Sequence, residues 1–185
     1  MEYAFNMFNK LAKTGLIVAL QKFLENENKP PIVLCIGSDL AIGDSLGPMT
    51  GTLLKQKTSG EFFIYGTLKK PITAKEVQYL NRFFRETHPD SKIIAVDAAV
   101  GESGDIGLLK IYNKSLRPGL GANKKLCAVG DISIMGIVAE KSVFNYSLLN
   151  LTRLNLVYKM SEIISDSLAD FFQSFNSTKF INQAV

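Results

Sequence analysis

Three side chains in this sequence stand where chemistry is usually placed. Asp44 and Ser45 lie in the stretch IVLCIGSDLAIGDSLGP, residues 32–48, and Asp97 closes the apolar run Ile93-Ile94-Ala95-Val96. Two chemistries compete for them. A serine hydroxyl is inert at its own pKa and attacks a carbonyl only when a histidine, itself held by an acid, removes its proton. Two neighbouring carboxyl groups need no such partner: they do not both ionise easily, so one keeps a proton as general acid while the other activates water as general base.

Residue types decide between the two. The tetrapeptide Gly43-Asp44-Ser45-Leu46 resembles the opening of the GDSL esterases, but the single histidine, His88, follows a helical stretch in Glu86-Thr87-His88-Pro89-Asp90 and enters the next strand from its amino side. That is the wrong edge of the sheet for Ser45. His88 is expected instead as a helix C-terminal residue, where an imidazolium suits the dipole. The carboxylate pair Asp44 and Asp97 is therefore the expected catalytic set, acting on an amide bond. The competing structural readings are a strand-end cap for Asp97 and a favourable helix N-terminal charge for Asp44. Gly37, Gly43 and Gly47 match neither G-x-G-x-x-G nor G-x-x-x-x-G-K-[ST], which argues against a nucleotide site. They read better as turn residues beside a substrate chain. Substrate is expected to meet Gly43, Ser45, Gly119, Gly121, Asn123, Gly130 and Asp131, with Arg117, Lys124 or Lys125 holding charged groups. No cofactor or metal is expected: one misplaced histidine makes a structural zinc site a poor fit, and a metal held by carboxylates is the alternative left open.

The elements that must position these residues alternate along the chain. An amphipathic helix is expected from Phe5 to Leu24, closed by Pro30 and Pro31. Then come a strand at 32–37, a helix at 48–58 opened by Pro48, a strand at 61–65, a helix at 73–87 and a strand at 92–97 that ends on Asp97. Strands at 106–112 and 132–138 follow, then a helix at 145–173 and a polar, frayed tail after Phe172. Alternation of this kind predicts an α/β fold with a parallel sheet between helices, and the continuous apolar strands predict burial on both faces. Ligands then bind outside the carboxyl ends of the strands.

Composition fits that picture. The 185 residues suit one domain, and 46% hydrophobic with 21% charged residues fills a core without disorder. A net charge of +4 is too mild and scattered to mark a nucleic-acid or membrane surface. Cys35 and Cys127 have no metal or redox spacing, and unpaired cysteines favour the cytoplasm. The apolar stretch at 15–20 is shorter than a signal-peptide core, and no run approaches the roughly 20 residues that span a bilayer.

Several ordered blocks resemble a family of sporulation proteases called YyaC. They are Ile36-Gly37-Ser38-Asp39 with Gly43-Asp44-Ser45-Leu46-Gly47-Pro48, Tyr65-Gly66-Thr67-Leu68, Val96-Asp97-Ala98, Arg117-Pro118-Gly119 with Gly121-Ala122-Asn123-Lys124, Val129-Gly130-Asp131-Ile132, and Asn150-Leu151-Thr152-Arg153-Leu154. The resemblance runs from about residue 31 to about residue 165 and leaves the N-terminal helix outside it. It implies a three-layer α/β/α sandwich with a mostly parallel sheet, HybD-like, similar to the germination protease and the hydrogenase maturation proteases. It also implies that Asp44 and Asp97 are the acidic pair, that the substrate is a peptide or protein, and that the setting is the cytoplasm of a sporulating cell or forespore. The metal-facing histidine of the maturation proteases has no counterpart here, so nickel recognition is not implied.

Overall fold

The computed structural model describes residues 1–58, 62–118, 127–141 and 151–182. In chain order the elements are β1 (Glu2–Asn6), α1 (Ala12–Phe23), β2 (Ile32–Cys35), a 3-10 turn (Ile42–Ser45), α2 (Leu46–Lys57), β3 (Ile64–Tyr65), α3 (Ala74–Thr87), β4 (Ile93–Gly101), β5 (Leu108–Tyr112), β6 (Ile132–Glu140) and α4 (Leu154–Asn182). The six strands form one sheet in the order β1-β5-β6-β4-β2-β3. β3, β2, β4 and β6 are parallel, and β5 runs against both of its neighbours.

Side chains alternate between two cores, as a pleated strand buried on both faces requires. Val33, Cys35, Ile94, Val96, Ile132 and Ile134 pack on one face with residues of α1, α2 and α4. Ile32, Leu34, Ile36, Ile93 and Ala95 pack on the other with Val77 and Phe84 of α3. The result is the expected α/β sandwich with a mostly parallel sheet. Its consequence for function is topological. The chain leaves β2 through α2 on one face to reach β3, then returns through α3 on the other face to β4. Between β2 and β4 the connections diverge, and their carboxyl ends are where open α/β sheets place the ligand crevice.

Four expectations need correction. Residues 2–6 form a strand, not the start of a helix. Glu2-Tyr3-Ala4-Phe5-Asn6 alternates exposed and half-buried positions, and Tyr3 and Phe5 pack on the core while pairing with Ile111 and Leu109 of β5. Asn6 and Asn9 then accept hydrogen bonds from Phe8 and Leu11 N–H in turns that delay the helix to Ala12. The Phe5 ring lies where a Cβ on Gly15 would stand, so that glycine is needed for packing. Second, α2 opens at Leu46, running on from the 3-10 turn, and Pro48 lies inside its first turn. A missing N–H is harmless there as well. Third, β4 does not end at Asp97 but continues to Gly101. Fourth, α4 starts at Leu154 and runs to Asn182, past the tail expected to fray; residues 142–150 lie outside the described residues.

The glycines around β2 set how closely the crevice elements approach. Gly37 has φ 142°, where an L side chain is strained, and a Cβ there would collide with the Asp44 carbonyl oxygen. At Gly47 a Cβ would be driven into the Ile36 backbone, whereas Gly104 faces open space. Gly47→Ala should therefore lower the unfolding free energy by about 1–3 kcal/mol, while Gly104→Ala should change it by less than about 0.5 kcal/mol. Chemical denaturation measures both, and equal effects would contradict this packing.

Candidate active site

Asp44 is placed by a short, internally bonded loop. After β2, Gly37 N–H donates to Ile72 O (2.9 Å), Ser38 N–H donates to Asp44 O (3.1 Å), and Asp44 N–H donates to Ala41 O (3.0 Å). Leu46, two residues later, is fully buried and fills the space over Gly136 of β6 beside Met160 of α4. Ser161 of α4 also donates to Leu46 O (3.2 Å). The turn carrying Asp44 is thus pinned from both sides, while Asp44 itself is only partly buried.

Asp97 is placed by the sheet. Its Cα pairs with Met135 of β6, and it is 8% exposed. On the other side β2 has already stopped, its last pair being Cys35 with Val96. One carboxyl oxygen, Oδ1, accepts the N–H of Ala98 at 2.9 Å. Burial raises the Asp97 carboxyl well above its ordinary value; the neighbouring charge of Asp44 raises it further, and the Ala98 N–H opposes the rise. Burial likewise pushes Asp44 up to about 6, against a hydrogen bond from the Ser38 backbone. The two groups are close enough to interact electrostatically, and both are shifted towards the protonated form.

The other expected residues divide. Gly43 is buried in the 3-10 turn beside Asp44, without the positive φ that would make it a sharp corner. Ser45 is also buried there, and its hydroxyl donates to Ile42 O at 2.7 Å. His88 does not approach it: it caps α3 at the amino edge of the sheet, with Nε2 2.7 Å from the Tyr65 hydroxyl and its ring against Phe63. Desolvation lowers the His88 pKa, which works against the imidazolium expected at this helix end.

Gly130 and Asp131 are not brought to the carboxylates. Asp131 N–H donates to Ile93 O (2.8 Å) and its Oδ2 accepts from Ile93 N–H (2.9 Å), which caps the start of β4. Ile93 is four residues before Asp97, about 13 Å along the strand. Gly119, Gly121, Asn123, Lys124 and Lys125 lie outside the described residues, and Arg117 is exposed. Buried Cys35, its thiol pushed up to about 12 by desolvation, is no nucleophile.

Among the described residues no three His, Cys, Asp or Glu side chains gather in an arrangement that would hold a metal ion, and no helix is long and apolar enough to cross a membrane. Sequence reasoning missed the open backbone of β4 beyond Asp97. Ala98-Ala99-Val100-Gly101 carries little strand signal by residue type, and only the end of β2 at Cys35 exposes it.

Residues 4–167 match the family described as "Protein of unknown function (DUF1256)". Over 141 residues the chain is 40% identical to "Uncharacterized protein YyaC" of Bacillus subtilis (strain 168), covering 76% of this chain and 69% of that protein. Among solved structures it is similar to the [NiFe] hydrogenase maturation protease HycI from Thermococcus kodakarensis KOD1, with a TM-score of 0.45 and 15% identity over 81% of this chain and 98% of that one.

A carboxyl group whose folded pKa lies above its unfolded value adds stability while protonated and loses that contribution as pH rises through the folded value. For Asp44 the loss falls between 3.8 and about 6; for Asp97 it also lies above 3.8, since burial and the Asp44 charge raise its carboxyl well above that value. Asp97→Asn should therefore melt at least about 3 °C higher than the parent at pH 8, with the gap closing towards pH 4. Thermal melts across that range decide it, and a variant less stable than the parent at pH 8 would overturn the assignment.

Proposed function

The chain belongs to the DUF1256 family, and we propose that it is an aspartate-dependent peptidase in which Asp44 and Asp97 activate water for peptide hydrolysis. The observation that carries this reading is the pair of interacting carboxyl groups, Asp97 buried and Asp44 partly buried, at the carboxyl ends of β2 and β4. Their environments differ, Asp97 being buried in the sheet and Asp44 only partly buried on its turn, and that difference assigns the roles. Above pH about 6 Asp44 is ionised, and its charge together with burial favours the protonated form of Asp97. Asp44 then accepts a proton from water as its oxygen attacks the peptide carbonyl carbon. Asp97 donates its proton to the carbonyl oxygen as that oxygen gains charge. Collapse of the tetrahedral species returns the Asp97 proton, the amine leaves with the proton held on Asp44, and the net change is addition of one water across the C–N bond.

The substrate class is a peptide or protein segment. The sequence resemblance to sporulation proteases supports a setting in the cytoplasm of a sporulating cell. The half-buried β4 strand beyond Asp97 favours a second reading, a peptide-binding protein on the same fold that does not cleave its ligand.

Cleavage of a random N-acetylated, amidated hexapeptide pool, followed by mass spectrometry, separates the two readings. The parent protein should cleave it, with a rate that rises as pH passes about 6. Asp44→Asn and Asp97→Asn should each lose at least about 10²-fold while keeping a cooperative thermal transition. Unchanged rates in both variants would refute the mechanism, and binding without cleavage by the parent protein would favour the second reading.

A further inference from the structure

We propose that the peptide binds as an added β-strand along β4, on the side that β2 vacates, pairing with the backbone of Ala98 and Val100. The cleavage that follows rests on the peptidase reading; the binding mode does not.

The strand's own alternation shows which groups are available. Lys92 O accepts from Ile32 N–H (2.9 Å) and Val96 O accepts from Ile36 N–H (2.8 Å), so even-numbered residues of this stretch turn their backbone groups towards β2. Ile93 O accepts from Asp131 N–H (2.8 Å) and Gly101 O from Lys141 N–H (2.7 Å), so odd-numbered residues face the β6 side. The register shift near Ala99 and Val100 leaves Val138 as the extra residue in β6, and the alternation of β4 is preserved. Ala98 and Val100 therefore point towards the place where β2 would be if it did not end at Cys35.

Asp97 Oδ1 already takes the Ala98 N–H. The Ala98 carbonyl and both backbone groups of Val100 have no protein partner among the described residues. Residues 98–101 are only half-buried, and none of these four is charged or a proline, the residues that usually guard an edge where strand addition must be prevented. An extended peptide laid along this edge would pair with these groups. Its carbonyl accepts the Val100 N–H, and its amides donate to the Val100 and Ala98 carbonyls. Val100 lies three residues beyond Asp97, about 10 Å along the strand. A peptide paired there runs directly towards the two carboxyl groups, and backbone pairing accepts many side chains.

The test uses the full chain as Asp44→Asn, labelled with 15N, and the same hexapeptide pool. On adding the pool, the Val100 amide should shift and its hydrogen exchange should slow at least about tenfold. Val100→Pro removes that N–H without touching the β6 ladder, and should weaken pool binding at least about fivefold with the thermal transition retained. Binding that leaves the Val100 amide unprotected overturns the strand-addition mode, as does Val100→Pro cleaving the pool at the parental rate. Neither result touches the carboxylate mechanism. Protection of Val100 without cleavage by the parent protein keeps the binding mode and removes the peptidase reading, while no perturbation at millimolar pool overturns the binding mode. If Val100→Pro fails to fold, the amide measurement decides.

Discussion

The site depends on two parallel strands of unequal length. β2 stops at Cys35 while β4 continues to Gly101, and Asp97 stands one residue past the last pairing between them. On the β6 side the sheet still shields it; on the β2 side the hydrogen-bonding partner is gone. A carboxyl group held in such a place loses most of its hydration without gaining a cation among the described residues, so its charged form is penalised. The approach of Asp44 adds a like charge to that penalty. Two groups that would be fully ionised at neutral pH in water are both shifted towards their protonated forms because of where one strand ends.

The surrounding packing serves to keep Asp44 at that position. Gly37 and Gly47 let the loop and α2 come within contact of β2, at distances where any side chain would collide with backbone. Leu46 anchors the turn between β6 and α4, which ties the crevice to the long C-terminal helix. α1 packs on the same helix, with Leu16 and Leu20 fully buried and Lys13 paired to Asp170 at 2.8 Å. The exposed ion pair adds little; the buried leucines hold the layer together. The N-terminal segment is therefore part of the domain, with β1 completing one sheet edge and α1 covering one face.

Much of this was legible from residue types because the central strands are continuous apolar runs and the loops between them carry the glycines and acids. Asp44 and Asp97 were marked by polarity breaking such runs. What could not be read depended on contacts distant in sequence. Tyr3 and Phe5 suit one face of a helix or of a strand, and their pairing with β5 decides between them. Gly130-Asp131 looks like Gly43-Asp44 in residue type, yet only tertiary structure shows that Asp131 holds the Ile93 backbone. His88 carries no sequence sign of the Tyr65 hydroxyl or the Phe63 ring that accompany its loss of water. The reach of β4 beyond Asp97 was hidden by alanines and a glycine, residues with weak strand preference.

The most direct measurement is a carboxyl 13C NMR titration of Asp44 and Asp97, in the parent protein and in Asp44→Asn. Asp44 should titrate near 6 and Asp97 well above the ordinary 3.8, and removing the Asp44 charge should bring the Asp97 midpoint down. If both groups lost their protons near 3.8, with Asp97 indifferent to the substitution, two independent solvated acids would stand where a shared-proton site is claimed.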